Sequence, residues 1–314
     1  VKRMGAGMSE HRCGLVCLVG RPNAGKSTLT NAVIGSKVAI TSNRPQTTRH
    51  VIRGVLTRPE AQLIVLDTPG LHKPRTLLGQ RLNDLVHEAW AHVDVAVLCV
   101  AADATVGRGD EFVAQALARA RPTGAKTFAV VTKTDAVPPP MVAQRLAEVS
   151  ELGVRVGLNW TQVVPVSALR DMQVDLLTDL LIDELPVGPA LFPDGEITDE
   201  PIDVLLAELI REAALEGVSD ELPHSIAVVI DEVSAREDRP EGRPLTDVSA
   251  IIFVERDSQK GIVIGRGGAR LKDVGTRARR GMEALLGTPV YLDLRVKVAK
   301  DWQRDPRQLR RLGF

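Results

Sequence analysis

The stretch Val16-Cys-Leu-Val-Gly20-Arg-Pro-Asn-Ala-Gly25-Lys-Ser-Thr28 sets the architecture of the whole chain. Four apolar residues suited to a buried strand run into Gly20, and a helical pattern of Leu29, Ala32 and Val33 follows Thr28. Four residues separate Gly20 from Gly25-Lys26-Ser27, the spacing of a phosphate-binding loop. In such a loop successive backbone N–H groups and a helix N-terminus surround an anion. The lysine reaches the β/γ-phosphates and the hydroxyl ligates Mg²⁺. Lys26 and Ser27 are the candidates for those two roles, with Gly20, Arg21, Pro22, Asn23, Ala24, Gly25 and Thr28 completing the cradle. A plain glycine turn between strand and helix is the competing reading. The strand–loop–helix context around Lys26-Ser27 favours a nucleoside triphosphate site.

With 314 residues the chain has room for two domains, each with a proper core. A hydrophobic share of 44% and a charged share of 25% are those of an ordinary globular protein. Aromatic residues make up 3%, which argues against base stacking on aromatic platforms. The net charge of zero hides an asymmetry, because residues 260–314 hold 14 Lys/Arg against 5 Asp/Glu. A basic final segment on an otherwise acidic chain suggests a polyanion partner for that end. Cys13, Cys17 and Cys99 have no metal-ligand spacing; Cys17 and Cys99 fall in core strands, pointing to a reducing, cytoplasmic setting. No apolar run is long enough to span a membrane, and no secretory signal is apparent. Residues 1–12 read as an N-terminal extension outside the fold, with Met8 a candidate start.

After the loop helix, residues 36–50 are polar and lack a helical period, as expected of a mobile loop. Val51–Thr57 and Gln62–Leu66 read as a hairpin, the second strand ending in Asp67-Thr68-Pro69-Gly70. Helices are expected over 77–90, 110–120, 140–152 and 173–184, alternating with strands over 93–101, 127–132 and 163–166. That alternation indicates a doubly wound, mainly parallel sheet whose ligands bind beyond the carboxyl ends of the strands. Four prolines and two glycines in residues 186–201 read as an interdomain linker. The domains are thus expected at 13–185 and 202–314. The second runs as helix 202–215, strand 225–233, a charged turn over 236–244, strand 247–255, a glycine-rich loop, helix 269–286 and strand 289–298.

Asp67 at a strand end is placed to support Mg²⁺, and Gly70, lacking a Cβ, lets its backbone N–H approach a γ-phosphate. Asp-x-x-Gly alone is an ordinary turn; following a phosphate loop at this distance it gains meaning. Thr132-Lys133-Thr134-Asp135 also follows a buried strand. A carboxylate there can accept from N1–H and the 2-amino group of guanine, a donor pair that adenine lacks. Lys133 would lay its stem along the base, and Ser167-Ala168 would offer a backbone N–H to the guanine carbonyl. Gly265-Arg266-Gly267-Gly268 is flanked by Ile262-Val263-Ile264 and by Arg270 and Lys272. A Gly-x-x-Gly loop between two helices admits a nucleic-acid backbone, while an apolar platform holds unpaired bases, as in KH domains. The element order is that of the second KH topology, and a solvated surface remains the plainer reading of the basic residues alone.

These motifs, in this order, resemble the TrmE–Era–EngA group of translation-factor-class GTPases, whose phosphate loop reads Gly-x-Pro-Asn-x-Gly-Lys-Ser as Gly20–Ser27 does. With the KH-like half, nearly the whole chain resembles the Era branch, including Ile197-Thr-Asp199, Ile210-Arg-Glu212, Val254-Glu-Arg256 and Trp302 through Leu312-Gly313. The resemblance implies an α/β P-loop GTPase domain followed by an α+β type II KH domain. It implies GTP/GDP and Mg²⁺ as ligands, with Ser27, Thr48 and Asp67 serving the metal. Thr48 lies in Gln46-Thr-Thr-Arg49, which is similar to the group's first switch. Lys26, Thr48, Asp67, Gly70 and Asn23 are the implied catalytic set, Asn23 through a potassium ion. One departure from the group's pattern, at Thr132, and one difference from Ras, at Leu71, stand out. Leu71 occupies the position where Ras carries a water-orienting glutamine, which points to slow turnover. Thr132 replaces the usual asparagine of the base motif and supplies one hydroxyl in place of an amide's donor and acceptor. The implied partners are the 3′ region of 16S rRNA and the small ribosomal subunit, whose assembly the family serves, with the protein expected to be a monomer. A constitutive RNA-binding protein with a structural nucleotide domain, and a GTPase held peripherally at an anionic membrane, are the competing readings.

Overall fold

The computed structural model describes residues 10–41, 47–74, 76–216, 225–236 and 244–314. Residues 1–9, Gln46 and most of the 236–244 turn lie outside the described residues. The chain divides into two compact units: residues 1–38, 50–72 and 85–199 form the first, and 39–49, 73–84 and 200–314 the second.

The first unit is a six-stranded sheet flanked by helices. Its strands are β1 (Arg12–Gly20), β2 (Ile52–Arg58), β3 (Ala61–Asp67), β4 (Val95–Ala101), β5 (Lys126–Thr132) and β6 (Gln162–Pro165), in the order β2-β3-β1-β4-β5-β6. All neighbours are parallel except β2, which pairs antiparallel with β3 as the hairpin pattern predicted. Between them run α1 (Lys26–Ile34), α3 (Arg108–Ala120), α4 (Pro139–Val156) and α5 (Val174–Asp183), with the last turns of α2 (Leu77–Trp90), whose residues 77–84 belong to the second unit. Because β1 is covered on both faces, its apolar run splits by parity. Val16 and Leu18 face a core with α1 and α5, whereas Cys17 and Val19 face the core that holds α3 and α4 residues. The three cysteines are free and buried; burial raises the Cys17 thiol and pushes Cys99 up to about 12, so both behave as small hydrophobes. β1 begins at Arg12, and the His11 carbonyl accepts from Gly188 N–H, so the N-terminal extension ends earlier than expected.

The expected linker is not a loose tether. Over 186–199 it belongs to the first unit, where the edge strand β2 donates Val55 N–H to Ile197 O at 2.9 Å. Gln62, fully buried, accepts from Leu191 N–H at 2.7 Å and Phe192 N–H at 2.9 Å, and donates to Phe192 O at 2.9 Å. Proline and glycine do prevent regular structure here, yet the segment covers an otherwise open sheet edge.

The second unit holds α6 (Ile202–Leu215), β7 (Ala227–Ala235), β8 (Thr246–Val254), α7 (Asp257–Ile264), α8 (Ala269–Leu286), β9 (Val290–Val298) and α9 (Pro306–Arg311). Its sheet runs β7-β8-β9, antiparallel then parallel, with a bulge between Ile230 and Glu232. That is the expected helix–strand–strand–helix–loop–helix–strand order. The basic final segment proves to be folded. Trp302 is fully buried and its indole N–H donates to Ser225 O at 3.0 Å. The Arg49 guanidinium lies 5.5 Å from the Trp302 ring and 5.8 Å from that of Phe314, and donates to Ile226 O at 2.6 Å. Among the described residues no helix is long and apolar enough to cross a membrane.

Replacing Trp302 with alanine removes a fully buried indole and its hydrogen bond. We expect a loss of about 3–5 kcal/mol in denaturant unfolding of the second unit. A change below about 1 kcal/mol would contradict this packing.

Candidate nucleotide and RNA sites

The nucleotide site is assembled at the carboxyl ends of the central strands. Parallel pairing sets Leu18 opposite Asp67 and Gly20 opposite Cys99, so the phosphate loop and the Asp67–Gly70 turn leave the sheet side by side. The loop delivers the chain into α1 through Gly25, whose φ of 82° lies in the left-handed region glycine adopts without strain. Lys26 is 6% exposed, with its ammonium 3.1 Å from Arg21 O and 3.4 Å from Gly20 O. Burial lowers its pKa, and the negative charge of Asp67 acts against that shift. A buried ammonium met mainly by carbonyls is a site that gains from an anion.

Ser27 Oγ donates to Asp67 Oδ2 at 2.6 Å. A hydroxyl and a fully buried carboxylate side by side are hard oxygen donors of the kind Mg²⁺ takes, so these residues fit that ion. Among the described residues no cluster of three or more His, Cys, Asp or Glu forms another candidate metal site. Thr68 spends its hydroxyl on Leu18 O at 2.7 Å, anchoring the turn. Gly70 must be glycine: a Cβ there would sit 2.5 Å from Pro22 N and 2.7 Å from Pro22 Cα. Leu71 donates its N–H to Gly20 O at 3.1 Å and buries its side chain, so it offers nothing to a water. Thr48 and its neighbour Thr47 pack within the second unit, where Arg211, paired with Glu208, donates to Thr47 O.

The base motif is more firmly tied than the Thr132 substitution suggested. Thr132 Oγ1 donates to Ala24 O at 2.7 Å and lies 3.3 Å from Val100 O. One hydroxyl therefore makes the link to the phosphate loop that an asparagine amide would make. Lys133 adopts a φ of 56° and its ammonium pairs with Asp103 at 3.0 Å. Asp135 accepts from Ser167 Oγ at 2.5 Å, which fixes the carboxylate's direction. The Ser167 N–H is taken by Met172 O at 3.1 Å, so the expected backbone donor to guanine narrows to Ala168. Arg21, Pro22, Asn23, Asp103, Thr105 and Lys133 are among the residues that line a cavity of about 240 Å³. Asn23 is exposed with a left-handed φ of 63°. Sequence reading missed Asp103 and Asp110; no motif marks them, since each meets its loop partner only through folding.

In the second unit the Gly-x-x-Gly loop joins α7 to α8, with Gly265, Gly267 and Gly268 at φ of 72°, 58° and 78°. Arg266, Gly267 and Lys272 are exposed. The expected platform needs two corrections. Val263 is fully buried in the core because α7 turns it inward, leaving Ile262, 52% exposed, and the half-buried Ile264 on the outer side. Arg270 donates to Ala214 O at 3.2 Å and Glu216 O at 3.0 Å, closing the end of α6 rather than standing clear for RNA.

Comparison with known proteins agrees with this geometry. Residues 15–133 match the family model described as a 50S ribosome-binding GTPase, and residues 221–303 match the KH domain model. The chain is 63% identical over 304 residues to GTPase Era of Streptomyces coelicolor, covering 97% of this chain and 95% of that one. It is 62% identical over 307 residues to GTPase Era of Mycolicibacterium smegmatis, covering 98% and 100%. A crystal structure of Era with MgGDPNP and nucleotides 1506–1542 of 16S ribosomal RNA superposes with a TM-score of 0.90 at 37% identity, covering 96% of this chain and 99% of that one. A variant of Aquifex aeolicus Era bound to GDP and AlF4⁻ gives 0.89 at 37% identity, with the same coverage. Identity of this level along nearly the full length, on a phosphate loop followed by a KH domain, makes the chain a member of the Era family of GTPases.

Proposed function

We propose that this GTPase uses its nucleotide state to control binding of a single-stranded segment near the 3′ end of 16S rRNA, in assembly of the small ribosomal subunit. The observation that carries the reading is that one chain holds both the Ser27–Asp67 phosphate and metal end, with Asp135 held by Ser167, and an exposed Gly-x-x-Gly loop. The relative solved with MgGDPNP and a 16S rRNA fragment supports it. GTP loading favours the RNA-binding state, and hydrolysis releases the RNA.

Within this reading Lys26 meets the β/γ-phosphates and Gly70 N–H the γ-phosphate, while Ser27 and Asp67 would hold Mg²⁺. Mg²⁺, when bound, neutralises charge on the phosphate oxygens. Asp135 selects guanine and Ala168 N–H receives its carbonyl. Asn23 would take K⁺ in a catalytic site where the apolar Leu71 orients no water. Arg266 and Lys272 meet the RNA backbone, with Ile262 and Ile264 against the bases. The protein acts as a monomer in the cytoplasm, and the same basic face could meet an anionic membrane only weakly and peripherally.

Three measurements test this reading. Asp135→Asn should move nucleotide preference from guanosine to xanthosine triphosphate, because an amide donates where the carboxylate accepted; unchanged guanine preference means the base site is misplaced. GTP turnover should be several-fold faster in potassium than in sodium at equal ionic strength, and equal rates remove Asn23 from the mechanism. RNA carrying the 16S 3′ sequence should bind more tightly with a GTP analogue than with GDP. Gly267→Asp with Gly268→Asp should abolish that binding, since both Cβ positions open onto free space and the added charges repel phosphate. Retained RNA binding in this variant, or equal affinity in both nucleotide states, counts against the model.

A further inference from the structure

We propose that Gly109 and Asp110, in the first turn of α3, are positioning residues for the phosphate loop and act on it through Arg21. Arg21 is the second residue of that loop, and its carbonyl is the point on which the site is hung. It accepts from the Lys26 ammonium at 3.1 Å and from Ala24 N–H at 3.3 Å. Any rotation of the Arg21 peptide therefore moves both the catalytic lysine and the loop's inner turn.

The Arg21 side chain is fastened away from the sheet by α3. Its Nη1 lies 3.1 Å from Asp110 Oδ2, and the same oxygen accepts from Gly107 N–H at 3.0 Å. The two side chains differ in setting: Asp110 is 5% exposed and Arg21 44%. A pair with one partner this exposed adds little to stability. A buried carboxylate with two donors is, however, fixed in space, and it fixes what it holds. The stem of Arg21 lies against Gly109, where an added Cβ would stand 2.7 Å from Nε and 2.9 Å from Cδ. Absence of a side chain at Gly109 thus makes room for the arginine. Helix α3 gains nothing from glycine here, which is a poor helix former. The loop is held twice, by the arginine side chain against α3 and by its carbonyl at Lys26. Positional errors of this kind reach the chemistry because phosphoryl transfer depends on placement more than on covalent participation.

The proposal rests on the phosphate-loop role of Gly20–Ser27, and loss of GTP binding in Lys26→Ala tests that role separately. The experiment is steady-state GTP hydrolysis by the full chain, with thermal unfolding measured alongside. Gly109→Ala keeps every hydrogen-bonding group but displaces the arginine. It should lower kcat about five- to tenfold with KM within about twofold. Its Tm should stay level or rise, because alanine favours the helix. Arg21→Met and Asp110→Asn should each lower kcat by a similar factor, and the double variant should be no slower than the slower single one. Arg21→Lys, which keeps a cation near Asp110, should recover part of the loss. If kcat of Gly109→Ala stays within about twofold of the parent, or the losses of Arg21→Met and Asp110→Asn multiply in the double variant, the clamp is wrong. A fall in kcat that tracks a fall in Tm across the series also overturns it. Should Asp110→Asn not fold, the Gly109→Ala result stands alone as the test.

Discussion

A buried ammonium beside a buried carboxylate is the constraint from which the nucleotide end of this protein is built. Lys26 and Asp67 come within one small volume because β1 and β3 are parallel and in register, Leu18 facing Asp67. Neither charge is stable there alone. Burial works against the ammonium, Asp67 works for it, and two carbonyls accept hydrogen bonds from it. The ammonium's hydrogen-bond partners are neutral carbonyls, which leaves it suited to meet a phosphate oxygen. Around this core the remaining contacts are restraints on position: Thr68 on Leu18 O, Leu71 on Gly20 O and Thr132 on Ala24 O.

Those restraints share a feature. Each joins the end of one strand, or the turn that follows it, to the last residues of β1 or the loop after it, and each uses a main-chain carbonyl as acceptor. A carbonyl at a strand end or in a loop, such as Gly20 O or Ala24 O, is open to a partner from outside its own element. Giving it a hydroxyl or an N–H from a neighbouring motif satisfies it and sets the spacing between motifs at once. The threonine at 132 shows how economical this is: where an amide would use two groups, one hydroxyl reaches Ala24 O and also lies near Val100 O. The same logic governs Arg21, whose carbonyl serves Lys26 while its side chain is held by Asp110.

The second unit solves a different problem. It must present glycines and basic groups at a loop while keeping a small three-stranded sheet stable. Val263, Val274, Ala278 and Met282 bury one side of α7 and α8, which leaves the loop between them outside. Trp302 and the segment after β9 add a further packed layer, so that part of the basic surplus near the end of the chain sits on folded structure. Arg270 closes α6, and Arg49 stacks on Trp302 and Phe314. A count of positive charge therefore overstates what faces a polyanion; Arg266 and Lys272 are exposed at the loop itself.

The order of elements, the sheet class, the phosphate loop, Asp67, Asp135 and the Gly-x-x-Gly loop were legible in the chain because each is encoded locally. Strand and helix periods differ, glycine marks close approaches, and a motif's residues lie within a few positions of one another. Tertiary structure decided the rest: that Gln62 and β2 pin residues 186–199, that Val263 points inward, that Ser167 holds Asp135, and that Asp110 holds Arg21. Pairs such as Arg21 and Asp110 are far apart in sequence, and either residue would serve equally well on a solvated surface. Only the fold, by bringing strand ends and helix starts to one edge of the sheet, gives such residues a partner and hence a meaning.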